Sequence, residues 1–142
     1  MQVKNFDELM VKLINDHANV KPVLNQFLSS PSQHHQERID FCKDHDIIPE
    51  AYQSLVKVDE PTKEALKTIG KRYDKTWSQV IFIYHVSVGL VVIPKSHNPK
   101  HQQENIDFFD FTLTPEDTAK IKAMKTSFNK KRSVQMRQIF FK

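Results

Sequence analysis

Residues 91–105 read VVIPKSHNPKHQQEN, a short apolar run that leads directly into the start of a helix. Residues 91–93 are β-branched and apolar, which favours a strand that is buried on both faces. Asn98 is a favourable N-cap residue. Pro99 suits the first helical position, because the backbone N–H that proline lacks has no helical partner there. The stretch therefore predicts a strand that runs into a helix start.

Positive charge surrounds this predicted corner. A helix start has unpaired N–H groups and a partial positive charge, so it can hold an anion. Lys95 and Lys100 add formal charge beside it, and His101 and Asn105 lie four residues apart on one helix face. The pattern predicts a phosphate-binding site. A plain surface loop with two lysines is the alternative, since such loops are common on basic proteins.

Helical and strand patterns alternate along the rest of the chain. The predicted strands cover residues 22–26, 47–52 and 91–93, and the predicted helices cover residues 6–18, 32–45, 61–73 and 76–84, with a last helix from Thr114. Asn5 and Glu8 are spaced to cap the first helix. This alternation predicts an α/β fold with a parallel sheet. We assign residues 1–128 to that domain and residues 129–142 to a basic tail.

The scarcity of glycine narrows the possible ligand sites. The chain has two glycines, Gly70 and Gly89, so it contains neither a G-x-G-x-x-G fingerprint nor a P-loop. Asp46 and Asp74 follow predicted helices, at positions where a left-handed C-cap would favour glycine. A dinucleotide would therefore need a binding scheme other than the Rossmann one.

Composition excludes several classes of protein. The 142 residues carry a formal net charge of +4, which fits an anionic ligand and is too small for a nucleic-acid footprint. The single Cys42 indicates a reducing compartment. We expect a cytoplasmic protein, because the sequence shows no membrane span and no signal peptide. His97 and His101 share a helix face, but they lack cysteine or carboxylate partners, so we predict no metal site.

The corner resembles the coenzyme-binding signature of the aldo-keto reductases. The matching residues are 93–96 (IPKS), 98–99 (NP) and 104–105 (EN). The resemblance implies that Lys95 and Ser96, with Asn98 and His101 beside them, hold the 2′-phosphate of NADPH. It also implies that Asn105 contacts the adenine.

The resemblance extends from about residue 3 to about residue 124. Further matches are residues 3–6 (VKNF), 21–26 (KPVLNQ), 39–42 (IDFC), 50–52 (EAY), 75–76 (KT) and 79–80 (QV). These segments are similar to the fifth to eighth strands of the family barrel and the helices between them. The implied fold is a partial (β/α)8 TIM barrel, its C-terminal half.

The resemblance also implies a nicotinamide site. Asn5 and Gln26 would hydrogen-bond the carboxamide, and Tyr52 would stack on the ring. Gln53 and Leu55, in the loop that follows, complete the implied cofactor-binding set. From the residues alone, Asn5 can instead be a helix cap and Tyr52 a core aromatic.

Several positions depart from the family pattern, among them Leu28 and Ser30 in the loop after the second predicted strand. Lys4 stands where the family has serine, Gln53-Ser54 where it usually has Ser-Pro, and His101 where an arginine grips the 2′-phosphate. A neutral imidazole is a weaker anion ligand than a guanidinium. We therefore expect reduced NADPH affinity.

The catalytic Asp, Tyr, Lys and His of the family belong to strands that would precede residue 3, so we assign no catalytic residue. The chain is expected to supply the cofactor-binding half of an NADPH-dependent enzyme that reduces aldehydes and ketones to alcohols. If the other half of the barrel completes it, we expect a small carbonyl substrate. The alternative is a non-catalytic half-barrel that binds nucleotide or assembles with itself or with an N-terminal half-barrel partner. Open strand edges motivate that alternative.

Overall fold

The computed structural model describes residues 1–56 and 58–124, so the predicted basic tail lies outside the described residues. The strands of this part of the chain are β1 (Gln2–Lys4), β2 (Leu24–Leu28), β3 (Ile48–Tyr52) and β4 (Val91–Val92). The helices are α1 (Glu8–His17), α2 (Gln36–Asp44), α3 (Glu60–Lys71), α4 (Trp77–Ser87), α5 (Pro99–Glu104) and α6 (Pro115–Ala123). None of these helices is long and apolar enough to cross a membrane.

The strands form one parallel sheet in the order β1-β2-β3-β4, which confirms the predicted α/β architecture. The register places Lys4 opposite Gln26, Gln26 opposite Glu50, and Glu50 opposite Val91. Because side chains alternate along a strand, these residues project from one face of the sheet. We call this the open face, because its side chains are partly or fully exposed.

The opposite face of the sheet is covered by helices. Phe27 and Ala51 project from it into a buried cluster with Val11 of α1 and with Ile39 and Cys42 of α2. A second cluster joins α3, α4 and α6 and is built from Leu66, Ile69, Val80, Ile81, Phe82, Tyr84, Phe108, Leu113 and Ile121. The hydrophobic core therefore lies partly between the sheet and its helices and partly among α3, α4 and α6.

The first helix begins two residues later than predicted. Asp7 is its N-cap, and the Asp7 carboxylate accepts a hydrogen bond from the Met10 N–H at 2.9 Å. Asn5 instead has φ of 60° and donates its N–H to the Gln26 carbonyl at 2.8 Å. Asparagine tolerates this left-handed conformation, so it serves the turn that leaves β1. The prediction of Asn5 as a helix cap was wrong.

Side chains cap other helices, and the prediction of Asn98 as an N-cap is confirmed. Thr76 and Gln79 form a capping box at the start of α4, and Asn98 caps α5 with Pro99 in its first turn. Asp46 and Asp74 have φ of 57° and 54°, the left-handed conformation expected after helices. These features depend on neighbouring residues in the chain, so the sequence alone predicts them.

The burial predicted for residues 91–93 was wrong. Val91 is 42% exposed and Ile93 is 47% exposed. Two features explain the exposure: within the described chain β4 pairs with β3 alone, and Val91 projects from the open face. A strand with one neighbour leaves its second edge uncovered, so β-branched residues alone do not establish burial.

Ion pairs fix the segment that follows α5. The Lys75 ammonium lies 2.8 Å from the Asp110 carboxylate and 3.5 Å from that of Asp107. The Gln79 side chain donates a hydrogen bond to the Asp107 carbonyl at 2.6 Å. Further along, the buried Asp117 of α6 accepts hydrogen bonds from Arg72 and Tyr73. These contacts hold the end of the described chain against α3 and α4.

A buried histidine lies in the core behind β2. His85 of α4 is 1% exposed, and its Nε2 is 3.4 Å from the Ser29 hydroxyl. Burial lowers the pKa of His85 to about 3, and burial also lowers the pKa values of His34 and His35. The fold therefore holds His85 as a neutral imidazole.

We predict that stability falls as the pH drops below the ordinary histidine pKa. The unfolded chain protonates His85 near pH 6.5 and the folded chain only near pH 3. Acid therefore favours the unfolded state, and His85 alone should cost about 2 kcal/mol between about pH 6.5 and about pH 5. Urea unfolding of wild type and His85→Gln across this range measures the effect. The variant should show a shallower slope, and equal slopes would contradict the account.

Candidate functional site

Three predicted residues meet where β1, β2 and β3 approach their carboxyl ends. The Tyr52 hydroxyl donates a hydrogen bond to the Asn5 side-chain oxygen at 3.2 Å. The Asn5 N–H in turn donates to the Gln26 carbonyl. Carboxyl ends of parallel strands share one edge of a sheet, which is where α/β proteins bind ligands. The parallel sheet thus brings together an aromatic ring and two side-chain amides that are distant in sequence.

Two further residues of this cluster carry charge. The Lys4 ammonium lies 4.5 Å from the centroid of the Tyr52 ring. The Gln26 amide nitrogen donates to the Glu50 carboxylate at 2.7 Å. Sequence reasoning did not assign Lys4 or Glu50 to the site. Strand alternation was the signal that could have identified them, since both project from the open face beside Gln26 and Tyr52.

Gln53 and Leu55, the other two residues predicted to bind the cofactor in this region, lie in different surroundings in the loop after β3. Gln53 is exposed and has φ of 56°, so it forms the turn directly after Tyr52. Leu55 is partly buried and packs against the cluster formed by α3, α4 and α6. Gln53 therefore lies beside the sheet edge, whereas Leu55 packs against the cluster of α3, α4 and α6.

The corner between β4 and α5 has the predicted local geometry. Two of its backbone N–H groups already donate hydrogen bonds to side chains. The Asn98 side chain accepts a hydrogen bond from the Lys100 N–H at 2.9 Å, and Ser96 Oγ accepts one from the Asn98 N–H at 3.1 Å. The Gln102 amide donates to the Ser96 carbonyl at 2.8 Å. Pro99 has no N–H, so the helix start offers fewer free donors than the sequence suggested. An anion at this corner would depend mainly on side chains.

Those side chains carry positive charge that is not neutralised locally. Lys95, Lys100 and His101 are exposed. Among the described residues, neither lysine forms an ion pair with a carboxylate. Uncompensated charges beside a hydroxyl are a suitable environment for a phosphate.

A cavity of about 710 Å³ adjoins the corner. Lys95, Ser96 and Asn105 form part of its polar border, and Val92 and Ile106 belong to its apolar wall. The Asn105 side chain is partly buried and makes no hydrogen bond to another described residue. The cavity therefore pairs an apolar surface with a free amide and a cation.

Comparison with known proteins identifies the family of this chain. The sequence model of the Aldo/keto reductase family matches residues 1–126. The chain belongs to this family. The match confirms the resemblance predicted from the corner and the strand order.

Curated relatives and solved structures agree with this assignment. Aldo-keto reductase family 1 member D1 of Mus musculus is 35% identical over 135 residues, which cover 86% of this chain and 42% of the relative. An aldo/keto reductase structure from Brucella melitensis matches with 36% identity and a TM-score of 0.77, over 85% of this chain and 46% of that one. A Bombyx mori aldo-keto reductase complexed with NADPH matches with 28% identity and a TM-score of 0.80, over 89% and 42%.

The chain spans less than half the length of these relatives. Its four parallel strands and intervening helices match a fragment of the family's (β/α)8 fold, as predicted. One barrel fragment thus carries both the basic corner and the cluster of Asn5, Gln26 and Tyr52.

Proposed function

We propose that this chain binds NADPH along the carboxyl ends of its strands, as the cofactor-binding part of an aldo-keto reductase that reduces aldehydes and ketones to alcohols. The observation that carries the proposal is the cavity beside Lys95, Ser96 and Asn105. Family membership supports it, as do matching structures that contain NADP or NADPH.

The corner fits the adenosine end of the cofactor. Lys95 supplies a cation and Ser96 a hydroxyl for the 2′-phosphate, with Lys100 and His101 as additional positive or hydrogen-bonding groups on α5. The apolar wall at Val92 and Ile106 suits a flat base. Asn105 is free to hydrogen-bond the base, since its amide has no other described partner.

The cluster at the ends of β1 to β3 fits the nicotinamide end. Tyr52 offers a ring face, and its hydroxyl is held by Asn5, which fixes the ring in place. The amides of Asn5 and Gln26 can exchange hydrogen bonds with a carboxamide. When bound, the nicotinamide supplies the hydride for carbonyl reduction, and these residues orient its ring.

No tyrosine of this chain is a suitable proton donor in the proposed reaction. Burial raises the pKa of Tyr84, whose hydroxyl contacts His34 Nδ1 at 3.2 Å. The Tyr73 hydroxyl is bonded to the Asp117 carboxylate at 2.6 Å, and Tyr52 occupies the proposed stacking position. We infer that the acid acting on the carbonyl oxygen comes from a second half-barrel.

A second candidate function is assembly. Both ends of the sheet are open in the described chain, because β1 pairs only with β2 and β4 only with β3. Large apolar side chains are exposed nearby: Leu9 at 57%, Leu13 at 50%, Ile106 at 67% and Phe109 at 70%. Open strand edges and apolar surface favour pairing with another half-barrel. A completed barrel would also supply the residues that catalysis requires.

We predict that Lys95→Ala and Ser96→Ala weaken binding of NADPH by about tenfold, the effect of losing one charge-assisted hydrogen bond. Binding of NADH should change much less, because NADH lacks the 2′-phosphate. Dissociation constants from nicotinamide fluorescence measure both. Lys12→Ala on α1 is the control, since it removes the same charge from an exposed site elsewhere. Equal losses for the two cofactors would contradict the role of the corner in binding phosphate.

We also predict that the purified chain associates. Light scattering after size exclusion should give a mass near twice 16.7 kDa at micromolar concentration. Leu9→Lys or Leu13→Lys should shift the population toward monomer, because each places a charge on an exposed apolar side chain of α1. Val56→Lys is the matched control on the loop after β3. A monomer that remains unchanged at high concentration would remove the case for self-assembly.

A further inference from the structure

The side chain of Lys4 lies over the ring of Tyr52. The Lys4 ammonium is 4.5 Å from the ring centroid, a distance at which a cation is attracted to an aromatic face. The Tyr52 ring cannot turn away freely, because its hydroxyl donates to Asn5. A cation therefore lies against one face of the ring that is proposed to receive the nicotinamide.

The backbone of Lys4 is fixed, so its charge remains near this face. Lys4 is the last residue of β1 and pairs in register with Gln26 of β2. The Glu50 carboxylate also projects from the open face, two strands away from Lys4, and accepts a hydrogen bond from the Gln26 amide. Within residues 1–56 and 58–124, no carboxylate forms an ion pair with Lys4. The ammonium can move to the edge of an incoming ring, but its charge is not neutralised by an ion pair.

The two redox forms of the cofactor differ in charge at this point. The reduced nicotinamide ring is neutral, whereas the oxidised ring carries one positive charge, and the phosphates and adenine are the same in both forms. A neighbouring cation repels only the oxidised ring. The Tyr52 ring attracts a cationic nicotinamide, and the Lys4 ammonium opposes that attraction.

We propose that Lys4 makes this site selective for NADPH over NADP⁺, through the ammonium that it holds over the Tyr52 ring. The inference rests on the proposed function, since it requires the nicotinamide to lie against Tyr52. Lys4 is a selectivity residue in this account and takes no part in proton transfer. A site with this preference fills with NADPH from a mixed pool and releases NADP⁺ readily, which favours carbonyl reduction.

Dissociation constants of NADPH, NADP⁺ and adenosine 2′,5′-bisphosphate, measured by calorimetry on the full chain, test the proposal. Lys4→Met removes the charge and keeps the length of the side chain. It should lower the ratio of the NADP⁺ to the NADPH dissociation constant by about fivefold, the effect of one solvent-screened charge pair at about 4 Å. The constant for the bisphosphate should not change, because that ligand has no nicotinamide. Higher salt should reduce the selectivity of the wild type.

Two further variants separate charge from packing. Lys4→Glu should lower the ratio beyond Lys4→Met, since it replaces repulsion by attraction. Lys12→Met changes the net charge equally from an exposed position on α1 and should leave the ratio unchanged. If Lys4→Met still binds NADPH, and its ratio of NADP⁺ to NADPH dissociation constants stays within about twofold of the wild-type ratio, the proposal for Lys4 is overturned. The proposed function would not be affected by that result. If neither the bisphosphate nor NADPH binds, the proposed function and this inference both fail.

Discussion

Parallel pairing of β1, β2 and β3 is the constraint on which the rest of the structure depends. It aligns the carboxyl ends of strands that are separated by helices, and so it brings Asn5 and Tyr52, 47 residues apart, within hydrogen-bonding distance. The same pairing sends alternate side chains to opposite faces. One face is packed by helices, and the other keeps the polar and charged residues that can meet a ligand.

The basic corner depends on a different balance. Asparagine, proline and serine at the start of α5 satisfy the backbone of the turn with their own side chains. These hydrogen bonds stabilise the corner without a ligand, but they occupy backbone N–H groups that could otherwise donate to an anion. In the proposed function, the exposed lysines and His101 supply the affinity for a phosphate.

The sequence predicted the parts of the fold that are encoded locally. The cap at Asn98, the left-handed Asp46 and Asp74, and the order of strands and helices all follow from neighbours in the chain. The predictions for Asn5 and for the burial of β4 were wrong because each depends on the sheet. Asn5 turns the chain next to Gln26, and Val91 projects from the open face.

Contacts between distant residues were the least predictable. Lys4 and Tyr52 are 48 residues apart, and Ser29 and His85 are 56 apart. No local pattern marks either pair, since each results from how strands and helices pack. The resemblance to aldo-keto reductases predicted Tyr52 as a site residue, but Lys4 departs from the family pattern and no role could be carried over to it. The structure was needed to place the lysine at the ring.

We propose that the cluster at the ends of β1 to β3 and the corner between β4 and α5 together hold NADPH. Urea unfolding of the purified chain, with and without NADPH at about one hundred times its dissociation constant, tests that claim most directly. A ligand that binds only the folded state should raise the free energy of unfolding by about 2.7 kcal/mol. We expect a single cooperative transition that NADPH moves to higher urea. A cooperative transition that NADPH does not move would contradict the account.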